Sequence, residues 1–231
     1  MRSEKGIAIV TGATSGLGLA LAYDLMRANY SVYALGKSEY KKQQIELDFK
    51  EHNSHVLCFD LMNKDAILEF CSIIKEVQIV VLCAGILVPD TASSAAISAM
   101  LDINLYANKL LISALLPKIP KNKNSWIWVV TSSSIEKPYP NQTHYASTKL
   151  KLQLYTNELR KQLAYTHPFA RVTEINPGGI LTNLHQQFNL SSQVESNYMS
   201  ADEVARSISS LLLNLGKSIQ IPYISVARRP K

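Results

Sequence analysis

Tyr145 and Lys149 stand four residues apart in Tyr145-Ala146-Ser147-Thr148-Lys149. On a helix, that spacing puts a phenol and an ammonium on one face, roughly 6 Å apart between β-carbons. A free phenol titrates near about pH 10, and a neighbouring cation favours the phenolate and lowers that value. Such a pair can pass a proton to an oxygen atom or take one back. Far upstream, Thr11-Gly12-Ala13-Thr14-Ser15-Gly16-Leu17-Gly18 follows the apolar run Ile7-Ala8-Ile9-Val10. A strand, a glycine-rich turn and a helix form a phosphate cradle. Gly12 permits a sharp exit from the strand, and Gly16 and Gly18 let phosphate and helix come close. Thr14, Ser15 and Leu17 fill the turn, and the helix N-terminus adds amides and a positive dipole end. The spacing is G-x-x-x-G-x-G, distinct from the general G-x-G-x-x-G dinucleotide fingerprint. A nucleotide held by backbone amides and a proton handled by a tyrosine together point to hydride transfer.

Cofactor choice is read at the end of the second strand. An acidic residue about twenty positions past the glycines would bind the ribose 2′-hydroxyl of NAD. Gly36 and Lys37 fall there instead. A cation without a carboxylate favours a 2′-phosphate, so NADP is the expected cofactor. The alternative is that Lys37 points to solvent and Glu39 holds an NAD ribose. Asp60, after the third strand, is a candidate adenine contact or a turn residue. Cys83-Ala84-Gly85 ends the fourth strand, where Gly85 gives the cofactor room. Gly36-Lys37-Ser38 and Gly216-Lys217-Ser218 imitate the end of a P-loop, but Ser31 and Leu211 occupy the positions of the required earlier glycine.

Residues with these roles need strands to end beside helices. Strand patterns cover 6–10, 31–35, 54–59, 78–83, 125–131, 170–175 and 219–226. Helix patterns cover 16–28, 38–51, 63–76, 94–117, 142–165 and 201–215. The strands are short and rich in Val and Ile, as buried parallel strands are. Ser38, Asn63, Ser93 and Ser200 are expected helix caps, the last with Glu203 as a capping box. The alternation predicts an α/β fold: a doubly wound parallel sheet of about seven strands with helices on both faces, in one domain spanning 1–231. Helix 94–117 is apolar over most of its circumference, so both sides are covered. One cover is the sheet; the other is a second subunit or this chain's own loops.

Bulk properties narrow the function classes. The chain has 231 residues, 47% apolar and 18% charged, which suits a folded globule. The longest apolar run, 79–88, is too short to span a bilayer as a helix, and the start lacks a signal-peptide pattern. Three cysteines, Cys58, Cys71 and Cys83, form no Cys-x-x-Cys motif, which fits a reducing cytoplasm. No membrane partner is expected, and no metal: His52 and His55 have no third ligand in sequence reach. The net charge of +6 gathers at Lys118–Lys123 and in the Arg228-Arg229-Pro230-Lys231 tail. It reads as solvated surface or as attraction to anionic ligands, and without interleaved aromatics it does not indicate nucleic acid. No G-x-S-x-G elbow supports a serine hydrolase.

These motifs, in this order, resemble the short-chain dehydrogenase/reductase family in its compact single-domain form. The match runs through residues 11–18, Asp60, Cys83-Ala84-Gly85, Asn104 in Asp102-Ile103-Asn104-Leu105, Ser132, Tyr145 to Lys149, and Pro177-Gly178-Gly179-Ile180-Leu181-Thr182. Two departures stand out. Leu82-Cys83 replaces the usual pair of asparagines before Ala-Gly, and the C-terminus lacks the Asp-Gly-Gly of many ketoacyl reductases. The resemblance implies an NADP-dependent oxidoreductase acting on a small alcohol or carbonyl substrate, with Tyr145 as acid and base. It implies that Lys149 also grips the nicotinamide ribose and that Asn104 anchors a water linking Lys149 to solvent. Ser132, thirteen residues before Tyr145, would hold the substrate oxygen, with Ser133 in reserve. Pro177, Gly178, Ile180 and Thr182 would line the nicotinamide, Thr182 bonding its carboxamide. Loops 86–93 and 180–200, the latter including His185, Phe188, Tyr198 and Met199, would shape the substrate pocket together with the segment Ile135 to His144. Assembly as a homodimer or homotetramer through helices 94–117 and 142–165 is expected. A non-catalytic NADP-binding sensor on the same fold is the alternative.

Overall fold

The computed structural model describes residues 5–184, 198–216 and 218–229. Strand β1 (Ile7–Thr11) leads through the glycine turn into α1 (Gly16–Arg27). There follow β2 (Ser31–Gly36), α2 (Glu39–Glu51), β3 (His55–Cys58), α3 (Lys64–Ile73) and β4 (Ile79–Leu82). The second half runs α4 (Ser94–Leu101), α5 (Ala107–Leu115), β5 (Ser125–Val130), α6 (Thr143–Thr166), β6 (Ala170–Pro177), α7 (Ala201–Leu213) and β7 (Tyr223–Val226). Among the described residues the seven strands form one parallel sheet in the order β3-β2-β1-β4-β5-β6-β7.

Alternate residues of each strand feed two cores. Ala8 and Val10 of β1 face α1, α2 and α7, where Leu21, Leu25, Phe49, Ile208 and Leu212 are buried. Ile9 faces the other way, toward Ile67 and Phe70 of α3, Leu111, Ile112 and Leu115 of α5, and Leu152, Leu159 and Leu163 of α6. Each such side chain removed from water contributes roughly 1.5–3 kcal/mol. The strand order reverses between β1 and β4, which opens a crevice at their carboxyl ends. Thr11 closes the floor of that crevice. Its Oγ1 accepts the amides of Cys83 and Ala84, each at 3.0 Å. The strand ends are thus tied together where the family's asparagines are missing.

The elements follow the sequence pattern with local differences. Ser38, Asn63 and Ser93 accept the expected capping amides. Ser200 makes no side-chain cap bond, so the expected capping box does not form; its carbonyl still receives Val204 N. The last strand begins only at Tyr223, because Pro222 lacks the N–H a ladder needs. Helix 63–76 stops at Ile73; Ile74 turns extended and Val77 N bonds Lys118 O to lead into β4. The expected helix 94–117 is divided by one π turn, Asp102–Tyr106. By length and composition Ser94–Lys118 could cross a membrane, yet here it is a core element between α3 and α6. Within the chain it packs against α3 and α6, and Tyr106 is left exposed.

Two long-range anchors fix α6. Gln142, its N-cap residue, supplies no side-chain cap. Asp90, fifty-three positions away, caps the helix instead. Its carboxylate accepts the Thr143 amide at 2.9 Å, the Thr143 hydroxyl at 2.6 Å and the His144 amide at 2.9 Å. The second anchor is Asn104, fully buried in the π turn. Its Nδ2 donates to Thr148 Oγ1 and to Ile86 O, both at 2.9 Å, and its Oδ1 accepts Ile86 N at 2.8 Å.

Asp90→Ala removes a cap and should lower stability by about 1 kcal/mol, read as a reduced urea midpoint, while Asp90→Asn keeps most of it. Burial opposes ionisation of Asp90, but Thr143 and His144 outweigh it and hold the carboxyl below its ordinary 3.8. A depressed acid stabilises the fold above its unfolded pKa, so the difference between wild type and Asp90→Ala should persist at neutral pH and vanish as pH falls through the folded value. Asn104→Leu leaves the partly buried Ile86 amide and carbonyl without Asn104 and should cost about 1 kcal/mol for each group left unpaired. Hydrogen exchange at Ile86 should then accelerate.

Candidate active site

A cavity of about 590 Å³ lies over the carboxyl ends of the strands. The turn after β1 brings Gly12, Thr14 and Ser15 to it, with Leu17 and Gly18 from the first turn of α1. Lys37 arrives from the end of β2, Asp60 from β3, Ala84 and Gly85 from β4, and Ser132 from β5. Pro177, Gly178, Ile180 and Thr182 come from the end of β6 and beyond. Tyr145 and Lys149 enter from the first two turns of α6. Of the described residues singled out from the sequence, Gly16, Asn104, Tyr198 and Met199 are not on the wall, Tyr198 lying against Gly179. Gly16 sits behind the wall against Thr182, and Asn104 lies beneath Gly85. Of the 180–200 loop, residues 185–197, with His185 and Phe188, lie outside the described residues; Met199 pairs with Ile180 as an isolated bridge.

The glycine turn is built to present amides. Gly12 has φ +67°, and a Cβ there would stand 2.9 Å from Ala84 Cα. A Cβ on Gly18 would run into the carbonyl of Gly12. Ser15, at the N-cap of α1, is extended and offers no side-chain cap to the first amides of the helix. These N–H groups and the positive end of the helix dipole suit an anion.

At the other end, Tyr145 is 5% exposed and Lys149 3%. The Lys149 ammonium stands 5.8 Å from the centre of the Tyr145 ring and donates to Val130 O at 3.0 Å. The sequence suggested that this cation lowers the phenol's pKa. In the folded protein, burial dominates and pushes Tyr145 up; a hydrogen bond with Ser132 pulls it down, and Cys83 adds to the upward push. Burial also draws Lys149 down to about 8, with Cys83 acting in the opposite direction. The Cys83 thiol itself is raised by burial to about 11 and stays uncharged near neutrality. Ser132, of the two candidate serines, is the one bonded to the phenol, and its Oγ also accepts Ser134 N at 3.2 Å and Ser134 Oγ at 2.9 Å.

Asn104 has both Nδ2 protons engaged by Ile86 and Thr148, and its carbonyl accepts Asn108 Nδ2 at 2.9 Å. The side chain therefore braces the floor beneath Lys149, a role the resemblance did not supply. Lys37 does not simply face solvent: its Nζ pairs with Asp60 at 2.6 Å. Glu39 pairs with Lys42 at 2.9 Å and is absent from the cavity wall.

The segments expected to shape the substrate pocket supply the apolar Ile86, Leu87 and Leu184 beside Tyr145. Tyr139 and the buried Gln142, whose Oε1 has no hydrogen-bond partner, line the same cavity, and Ile103 joins them from outside those segments. Gln142 lies in the expected segment Ile135 to His144, one helical turn before Tyr145.

Comparison with known proteins bears on the family and the fold. A family model described as short chain dehydrogenase matches residues 6–193. An uncharacterized short-chain type dehydrogenase/reductase of Sinorhizobium fredii is 31% identical over 187 residues, covering 78% of this chain and 72% of that protein. Among solved structures, an alcohol dehydrogenase from the archaeon Thermococcus sibiricus, complexed with 5-hydroxy-NADP, superposes with a TM-score of 0.81. It is 23% identical, with 98% of this chain and 99% of that one covered. A 3-ketoacyl-(acyl-carrier-protein) reductase from Brucella melitensis, complexed with NADH, gives 0.85 at 22% identity, with 97% of each chain covered. With most of its length matched by the family model, its motifs in order and its sheet of the same architecture, the chain belongs to the short-chain dehydrogenase family.

Proposed function

We propose that this protein interconverts a secondary alcohol and a ketone or aldehyde, using a nicotinamide dinucleotide, with NADP preferred over NAD. The observation that carries the reading is the buried Tyr145 phenol, bonded to Ser132 and sharing one cavity with Lys149 and the open N-terminus of α1. The amides from Gly12 to Gly18 suit the pyrophosphate, Ala84 and Gly85 leave room beside it, and Asp60 lies at the adenosine end. Lys149 is placed for the nicotinamide ribose and Thr182 for the carboxamide, with Pro177, Gly178 and Ile180 beside the ring. Lys37 on the wall, with Glu39 off it, favours a 2′-phosphate. Bound there, the dinucleotide supplies the hydride.

The chain's own part is to manage the proton and hold the substrate. Tyr145 Oη gives its proton to the substrate oxygen during reduction, and Ser132 Oγ donates a hydrogen bond to the same oxygen. The upward push of burial keeps Tyr145 protonated at neutral pH, which is the form reduction needs. Alcohol oxidation needs the phenolate, and the Lys149 charge supports that form. Asn104 keeps α6 at a fixed distance from the loop after β4. Lys37, Asp60 and Lys149 are the only charged side chains among the described lining residues, and beside Tyr145 the wall combines apolar Ile86, Leu87 and Leu184 with the uncharged Ser132 and Gln142. An uncharged carbonyl compound suits that wall. The exposed Tyr106, Leu150 and Leu154 are consistent with a second copy docking along the α5 and α6 helices.

Tyr145→Phe should reduce NADPH-dependent turnover of a ketone panel by about 10²–10⁴-fold while dinucleotide affinity changes little. Retained turnover in that variant would remove Tyr145 as the acid. Lys149 gives a second check through stability. Its folded pKa of about 8 lies below the ordinary 10.5. Between those values the unfolded chain holds the extra proton, so stability rises with pH. Wild type should therefore gain on Lys149→Met across that interval in urea unfolding, and a flat difference would mean the ammonium is not desolvated.

A further inference from the structure

Building on the dinucleotide reading of the cavity, we infer that Asp60 is a specificity-determining residue that opposes the cofactor's 2′-phosphate by holding Lys37 in an ion pair. The two residues emerge from neighbouring strands. Gly36 lies opposite Cys58 in the β2–β3 ladder, and Phe59 N bonds Gly36 O at 2.9 Å. Lys37 and Asp60 follow directly, and Nζ meets Oδ2 at 2.6 Å. The Asp60 carboxylate is held in place, because its other oxygen, Oδ1, accepts Met62 N at 3.0 Å. Its side chain is 34% exposed against 73% for Lys37. Lys37 is therefore the partner that moves.

Among the described lining residues, Lys37 is the only cation at this end of the cavity, with Lys149 at the other. A 2′-phosphate can gain Lys37 only by drawing it away from Asp60. It then stands beside a carboxylate that has lost its counter-ion. The exposed ion pair is itself weak, worth about 0–1 kcal/mol, so it can be opened. What persists is the repulsion between phosphate and Asp60, partly screened because both face solvent. A 2′-hydroxyl meets no such repulsion and can donate to the same carboxylate. The pair makes this end electrically neutral, so Lys37 gives a smaller NADP preference than an unpaired lysine would. Glu39 takes no part, being occupied by Lys42.

The test is calorimetric binding of two cofactor fragments, adenosine 2′,5′-bisphosphate and adenosine 5′-monophosphate, to the full chain, with melting temperatures confirming that each variant is folded. Asp60→Asn keeps an acceptor for the Met62 amide and should tighten the bisphosphate, raising its affinity relative to the monophosphate roughly tenfold. Lys37→Ala should weaken the bisphosphate selectively. In the Lys37→Ala background, Asp60→Asn should recover only part of the gain, because the contest for the ammonium is gone. The inference is overturned if Asp60→Asn weakens the bisphosphate or shifts both fragments equally. If wild type binds neither fragment, the dinucleotide reading itself fails, a result distinct from two fragments that bind without discrimination.

Discussion

The buried neighbourhood of Tyr145 and Lys149 governs how the rest of this molecule must be built. A phenol and an ammonium withdrawn from water each lose solvation, and both pKa values move in the direction that disfavours charge. Such a pair is useful only where fixed dipoles stand in for the lost water. Val130 O receives the ammonium and Ser132 meets the phenol. Both belong to the end of β5 or the residues just after it, so the position of α6 against that strand end sets the chemistry. The Asp90 cap and the Asn104 brace act on the same helix from the loop after β4 and from the π turn.

The sheet's reversal of order places β1 and β4 side by side with their following chains leading away from each other. That arrangement creates the crevice, and Thr11 keeps its two lips in register. One hydroxyl gathers two amides and also donates to Val81 O at 3.4 Å. The departure at Leu82-Cys83 therefore leaves the floor of the crevice connected. A buried thiol with a pKa near 11 adds no charge beside the phenol.

What could be read from the sequence was what depends on near neighbours along the chain. The glycine turn, the Tyr145–Lys149 spacing, the caps at Ser38, Asn63 and Ser93, and the alternation of strands and helices are all local patterns. Features that depend on distant contacts were silent. Asp90 caps a helix fifty-three positions away, and nothing near Thr143 announces it. The Lys37–Asp60 pair joins residues on separate strands, each of which had been assigned its own ligand contact. The direction of the Tyr145 shift depends on burial, which a spacing argument does not contain. The Ser200–Glu203 pattern was legible but unused, because the helix start is already held by its backbone.

The π turn at Asp102–Tyr106 carries a consequence for altering this scaffold. One extra residue in a helical turn rotates everything after it by about 100° relative to an uninterrupted helix. The apolar faces of α4 and α5 are therefore out of phase, and each meets its own neighbours only because of that offset. A chimera that swaps in a regular helix of the same number of turns would turn Leu111 and Leu115 off the core and take Asn108 Nδ2 away from the Ile103 carbonyl, five residues back. Recombination points in this half of the molecule belong outside Ser94–Leu115, where a change of length leaves the helical phase intact.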